Sequence, residues 1–205
     1  MIGVIDYGMG NLGSVVNALS FLGAPVRVLR GPEEMADCRS LILPGVGAFG
    51  DCMANLRRHG YVEPVQAWIA EDRPLLGICL GLQVLCESSE ESPGVDGLGV
   101  LPSPAVKFAP SAEFKVPQIG WNRVRAVPGR ACPLFRGIPD GTYFYFVHSY
   151  YLPGAEGWDA GLTAHGVDYA SAVWRGRVAA VQFHPEKSQQ AGLRLLKNFV
   201  DGSGE

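Results

Sequence analysis

Cys79 stands at the centre of a Gly77-x-Cys79-x-Gly81 pattern inside the apolar run "PLLGICLGLQVL", residues 74–85. A nucleophile on a sharp strand-to-helix turn needs small residues two places before and two places after it, because the turn brings those places together. A helix beginning there would aim free N–H groups and its positive end at the sulfur, which favours the thiolate. A thiol in an apolar run otherwise packs as a small hydrophobe. That reading is assigned to Cys38, Cys52, Cys86 and Cys132, in the core or at the surface. A cysteine nucleophile requires a base, and the base requires an orienting group. "AAVQFHPEKS", residues 179–188, offers both. His184 and Glu186 are two residues apart at a strand end, a spacing that puts them on one face. Glu186 can then hold one ring nitrogen and leave the other for Cys79. Acyl transfer also needs donors for an oxyanion. "LPGVGAFG", residues 43–50, leaves a strand with a glycine-rich loop. Its backbone N–H groups at Val46 and Gly47, with the N–H of Leu80, are the candidate donors.

These residues need a scaffold. The chain has 205 residues, 47% of them apolar and 18% charged, enough for a folded α/β domain with a sizeable core. A net charge of −3 without a basic stripe argues against nucleic acid or an anionic membrane as partner. No apolar run reaches the roughly 18 residues that span a bilayer, and no signal peptide is visible. A cytoplasmic location is the default expectation. The five cysteines are odd in number and include no C-x-x-C pair, and the four histidines form no H-E-x-x-H. Neither a disulfide framework nor a metal site is expected.

Apolar runs at 2–6, 25–29, 40–44 and 74–78 read as strands. Helical periodicity reads over 12–22, over 50–71 with a split at Pro64, and over 79–88, with one or two helical turns in "PEEMADC". The first 90 residues thus alternate strand and helix, the signature of a parallel sheet covered on both faces. The second half is aromatic and strand-like. "WNRVRAV", "TYFYFVHSYY" and "SAVWRGRVAAVQFH" carry it, with a hairpin turn at Arg175-Gly176-Arg177 and a closing helix through Leu193, Leu196, Phe199 and Val200. The expected fold is a mostly parallel open sheet with helices on both faces and a mixed or antiparallel C-terminal extension. The whole chain, 1–205, reads as one domain, with 92–117 as a surface excursion.

The cysteine elbow, H-P-E and the glycine loop together resemble the class I (triad) glutamine amidotransferases, which are flavodoxin-like. "IDYGMGNLGSVVNAL", "LPGVGAFGDCM", "GICLGLQVL", "PQIGWN", "FVHSYY" and "QFHPEKS" are similar to the glutaminase subunits of imidazole glycerol phosphate synthases in particular. The loop "PGVG" separates that branch from the pyridoxal-phosphate and anthranilate-synthase types.

The resemblance implies hydrolysis of glutamine to glutamate and ammonia through a thioester on Cys79, with His184 as base and Glu186 as its orienter. It implies no cofactor and no metal. It also implies a heterodimer with a (β/α)8-barrel cyclase that uses the ammonia in histidine biosynthesis. Family glutamine contacts carry over to Gly47, Gln83, Glu91, Ser149 and Tyr150, with Glu91 taking the ammonium and Ser149 and Tyr150 offering backbone. Asn11, Trp121, Tyr145 and Lys187 match positions that face the cyclase. The family's glutaminases are nearly silent until the cyclase binds its nucleotide. Gly45 and Gly47, flanking Val46, would let a peptide there flip. Other readings are a triad glutaminase of another synthase such as anthranilate synthase, a cysteine hydrolase of other specificity such as a peptidase, and a scaffold without activity.

Overall fold

Strands that are apolar on both sides belong inside a covered sheet, and the first half of the chain is built that way. The computed structural model describes residues 1–202. In order these form β1 (Ile2–Ile5), α1 (Leu12–Phe21), β2 (Val26–Leu29), a 3-10 turn (Pro32–Asp37), β3 (Ser40–Gly45), α2 (Phe49–Arg58), α3 (Val62–Ala70), β4 (Leu75–Cys79) and α4 (Leu80–Gln83). There follow β5 (Val106–Lys107), β6 (Gln118–Ala126), β7 (Thr142–His148), β8 (Tyr150–Tyr151), β9 (Asp159–Ala164), β10 (Asp168–Arg175), β11 (Val178–Val181) and α5 (Gln189–Gly202).

The large sheet runs β2-β1-β3-β4-β11-β10-β9-β6-β7. The five strands from β2 to β11 are parallel, and the remaining four are antiparallel to their neighbours. Side chains of the parallel strands alternate between two cores. Ile5, Leu41, Leu43 and Leu75 pack with Met53, Leu56, Val65 and Trp68 of α2 and α3. Ile2, Val4, Ile42, Leu76 and Ile78 pack with Val15 and Leu19 of α1 and with Leu195, Leu196 and Phe199 of α5. No helix among the described residues is long and apolar enough to cross a membrane. All five cysteines are free and buried.

Four local expectations need correction. The helical stretch 50–71 breaks at Gly60 (φ +70°), not at Pro64. Pro64 is the third residue of α3, where the missing N–H would have had no partner in the helix. The helix expected over 79–88 ends at Gln83. Beyond it the carbonyls of Val84, Leu85, Cys86 and Glu87 accept N–H groups from Leu98, Val100 and Leu101, Gly99, and Gly97 respectively. The 92–117 segment is therefore no surface excursion. It pairs with the chain after α4 and buries Leu98, Leu101, Ala105 and Phe108. "TYFYFVHSYY" is not one strand either, because the chain leaves β7 at Ser149 and β8 pairs with β5 in a separate two-stranded sheet. The strand β9, "DAGLTA", has no apolar pattern to announce it. It is held by pairing with β10 and β6 on its two sides.

Candidate active site

β4 ends at Cys79 and α4 begins at Leu80, so the thiol stands on the turn between them. Cys79 has φ +55° and ψ −108°, a sparsely populated conformation that costs a residue with a Cβ about 1–3 kcal/mol. The neighbours hold it there. Gly45 of β3 lies in register beside Cys79. A Cβ on Gly77 would stand 2.8 Å from the Gly81 carbonyl oxygen, and a Cβ on Gly81 would fall on the Leu43 carbonyl oxygen. The two glycines of the motif are thus required by close approach on either side of the turn. With only four residues, α4 does not bring the dipole of a long helix to the sulfur.

His184 follows the end of β11, and Glu186 sits in a 3-10 turn, Pro185–Lys187. The pair therefore meets across that turn and not by strand alternation. Both side chains are 2% exposed, and His184 Nδ1 donates to Glu186 Oε1 at 2.8 Å. Burial pulls the ring's pKa down. The hydrogen bonds and charges of Cys79 and Glu186 outweigh burial and raise it to about 10. Nε2 is the nitrogen left for the thiol, and it bonds no other group. The backbone is pinned too. The His184 N–H donates to the Tyr145 carbonyl at 2.9 Å, and the Ser188 hydroxyl donates to the His184 carbonyl at 2.6 Å.

A cavity of about 320 Å³ opens over these groups, a volume of the order used for small ligands. Val46, Gly47, Cys79, Leu80, Gln83, Glu91, Ser149, Tyr150 and His184 all line it. Every expected catalytic, oxyanion and substrate residue except the buried orienter Glu186 thus meets at one opening. It lies at the carboxyl ends of β3, β4 and β11, where open α/β sheets place their sites. Gly47 has φ +103° and Val46 is 38% exposed. A Cβ on Gly47 would meet only the flexible end of Met9, Cε at 2.7 Å, whereas one on Gly45 would meet the Tyr7 hydroxyl at 2.7 Å, Leu80 Cβ at 2.9 Å and the Gly81 backbone nitrogen at 3.2 Å. The freedom of this loop therefore resides at Val46–Gly47.

Glu91 Oε2 accepts the Phe49 N–H at 2.7 Å and Ser92 Oγ accepts the Gly50 N–H at 3.0 Å. They cap α2, whose own N-cap Ala48 offers no side-chain acceptor. Glu91 thus joins the cavity to the helix that follows the glycine loop. Of the backbone expected to meet the ligand at Ser149 and Tyr150, the two carbonyls are already engaged. Ser149 O accepts the Phe108 N–H at 3.0 Å. Tyr150 O accepts Gln83 Nε2 at 2.9 Å and His148 Nδ1 at 2.8 Å.

On the β6–β7 ribbon, Trp121 and Tyr145 are register partners with ring centroids 6.1 Å apart. Lys187 Nζ stands 5.9 Å from the Tyr145 ring centroid. Asn11 caps α1, accepting the Ser14 N–H at 3.4 Å. The sequence reading missed Gln182, His148 and Ser188, all buried. Gln182 lay inside the quoted motif, but nothing in its type or spacing marked it.

A cysteine elbow, an oriented histidine and a glycine loop at the carboxyl ends of a parallel sheet define a cysteine-dependent acyl-transfer site on a flavodoxin-like fold. The chain belongs to the family described as "Glutamine amidotransferase class-I", whose model matches residues 3–202. It is 53% identical to the imidazole glycerol phosphate synthase subunit HisH of Moorella thermoacetica, over 97% of this chain and 93% of that one. It is 46% identical to the HisH subunit of Syntrophotalea carbinolica, over 98% and 100% of the two chains. Among solved structures, PurLQS from Thermotoga maritima shares the fold with a TM-score of 0.77 at 17% identity, over 98% of this chain and 97% of that one.

Proposed function

We propose that this chain is a glutaminase subunit that hydrolyses glutamine to glutamate and ammonia on Cys79. It delivers the ammonia to a (β/α)8-barrel cyclase subunit that makes imidazole glycerol phosphate and aminoimidazole carboxamide ribotide in histidine biosynthesis. The whole chain acts as one amidotransferase domain in the cytoplasm. The observation that carries the reading is the buried His184–Glu186 pair beside a strained Cys79 at a ligand-sized cavity, in a chain 53% identical to a HisH subunit.

The Cys79 thiolate attacks the carboxamide carbon, and the carbonyl electron pair moves to oxygen. N–H groups of the Val46–Gly47 loop and Leu80 receive that oxyanion. His184, protonated at Nε2, gives its proton to the departing nitrogen, and ammonia leaves behind a thioester. His184 then takes a proton from water as the water attacks the thioester, which releases glutamate and restores the thiol. Glu91 receives the substrate's ammonium. The exposed apolar residues Ile119, Trp121 and Tyr143, with Tyr145, Lys187 and Asn11, form the cyclase-facing surface.

The test is glutamine hydrolysis by the purified chain, alone and with the cyclase and its nucleotide ligand. Strong stimulation by partner and ligand is the expected result. Hydrolysis indifferent to the partner would leave a cysteine hydrolase and discard the synthase assignment. In the same assay Gly47→Ala is expected to change the stimulation ratio several-fold, because a Cβ at φ +103° resists one of the two peptide orientations. An unchanged ratio would remove the loop from the activation step.

A further inference from the structure

The side chain of Gln182 is wholly buried, a placement that costs free energy unless its amide is fully bonded. Its two ends face two parts of the site. Nε2 lies 3.8 Å from Cys79 Sγ, within the range of a hydrogen bond to sulfur. Oε1 accepts from Gln83 Nε2 at 3.1 Å.

The direction of this chain is set by a group that cannot reverse. The Tyr150 carbonyl only accepts, so Gln83 must turn its nitrogen toward it. The second N–H of that nitrogen then goes to Gln182, which must answer with oxygen, and the Gln182 nitrogen is left for the sulfur. The Tyr150 carbonyl has no lone pair to spare, since His148 Nδ1 also donates to it at 2.8 Å. Burial, the largest influence, pushes the pKa of His148 down to about 4. The ring is neutral at physiological pH, with its proton on Nδ1 and the Tyr169 hydroxyl 3.2 Å from Nε2. Both N–H groups of Gln83 are thus committed, and the part of this amide that remains for a ligand in the cavity is an acceptor.

We propose that Gln182 is a positioning residue of this site. Its nitrogen holds the Cys79 sulfur as thiolate, and its oxygen fixes Gln83 as an acceptor that favours a carboxamide ligand over a carboxylate. The carboxamide of glutamine brings two N–H donors to Gln83 Oε1. The carboxylate of glutamate brings none and places negative charge against a lone pair. The orientation therefore works both to select substrate and to release product. The inference rests on the glutaminase reading for its ligand but not for its effect on the thiol.

Two variants separate the functions of the two ends. Gln182→Met removes donor and acceptor at similar length. Gln182→Glu keeps an acceptor toward Gln83 but turns an anionic oxygen to the sulfur. The first measurement is the pH dependence of iodoacetamide alkylation at Cys79 in the full chain, followed by mass spectrometry. Both variants are expected to shift the midpoint upward by about one pH unit, the scale of a lost hydrogen bond to a charged group. An unmoved midpoint in both overturns the role at sulfur. The second is equilibrium binding of glutamine and of glutamate to the cyclase complex, carried on Cys79→Ala to prevent turnover. Preference for glutamine is expected to fall about tenfold in Gln182→Met and to survive in Gln182→Glu. Preference retained in Gln182→Met overturns the role in orienting Gln83. If the complex with Gln182 intact binds neither amino acid, the glutaminase reading fails, while the alkylation result still decides the role at sulfur.

Discussion

Replacing Cys79 with alanine is expected to reduce glutamine-dependent synthesis by the complex roughly 10⁶-fold, the loss seen when an acyl-transfer nucleophile is removed. Synthesis driven by added ammonium salt should persist at close to its original rate. The first half follows from chemistry, since Cys79 is the one thiol among the described residues that line the cavity. Cys52 and Cys86 are fully buried, and burial pushes both thiols up to about 12. Neither has the elbow or the histidine. The second half follows from placement: the thiol sits on this chain's sheet, whereas the ammonia is consumed on the partner. Alanine also has the shape for the site, because Cys79 already carries a Cβ at φ +55°. Initial rates with glutamine and with ammonium salt, measured on one preparation of the complex, decide it. Loss of both activities would place the cysteine in the fold or in the partner's reaction. Retention of glutamine turnover would overturn the thioester.

The candidate triad was legible because the chemistry proposed for it demands residue types that stand out in a row of letters. A thiol between glycines and H-P-E are short local patterns, and their meaning survives whatever the rest of the chain does. The parallel half of the sheet was legible for a related reason, since β1, β3 and β4 are apolar on both faces. What stayed hidden depends on partners distant in sequence. β9 is a strand only because β10 and β6 flank it. The chain after Gln83 leaves its helix because Leu98, Gly99, Val100 and Leu101 claim its carbonyls. Gln182 was invisible as a functional residue because its meaning lies in Gln83 and Cys79, 99 and 103 positions away. The split helix shows a smaller lesson: Pro64 carried the stronger breaking signal, yet position within the first turn made it harmless and left Gly60 to end α2.

Glu186→Gln is expected to lower kcat with glutamine by about 10⁴-fold, the effect of neutralising the carboxylate that fixes a catalytic imidazole, while leaving ammonia-driven synthesis intact. The substitution preserves shape in a site where the side chain is 2% exposed. It changes what faces His184 Nδ1. A carboxylate only accepts, so it holds the proton on Nδ1 and presents Nε2 to the thiol. An amide can turn its N–H₂ toward the ring and reverse the tautomer. The pH profile separates this role from a general loosening of the fold. With both partners in place the pKa of His184 is raised to about 10, so the imidazolium persists through neutral pH and is lost as pH rises through that value. Without the Glu186 charge and hydrogen bond, one of the two influences opposing burial is gone. The ring's pKa falls, and the alkaline limb of the kcat/KM profile for the residual activity should move to lower pH. Glu186→Asp, which keeps the charge but shortens the reach, should recover part of the rate and return the limb toward its original place. A loss of rate with an unmoved alkaline limb in both variants would show that Glu186 supports the 3-10 turn and does not tune the base.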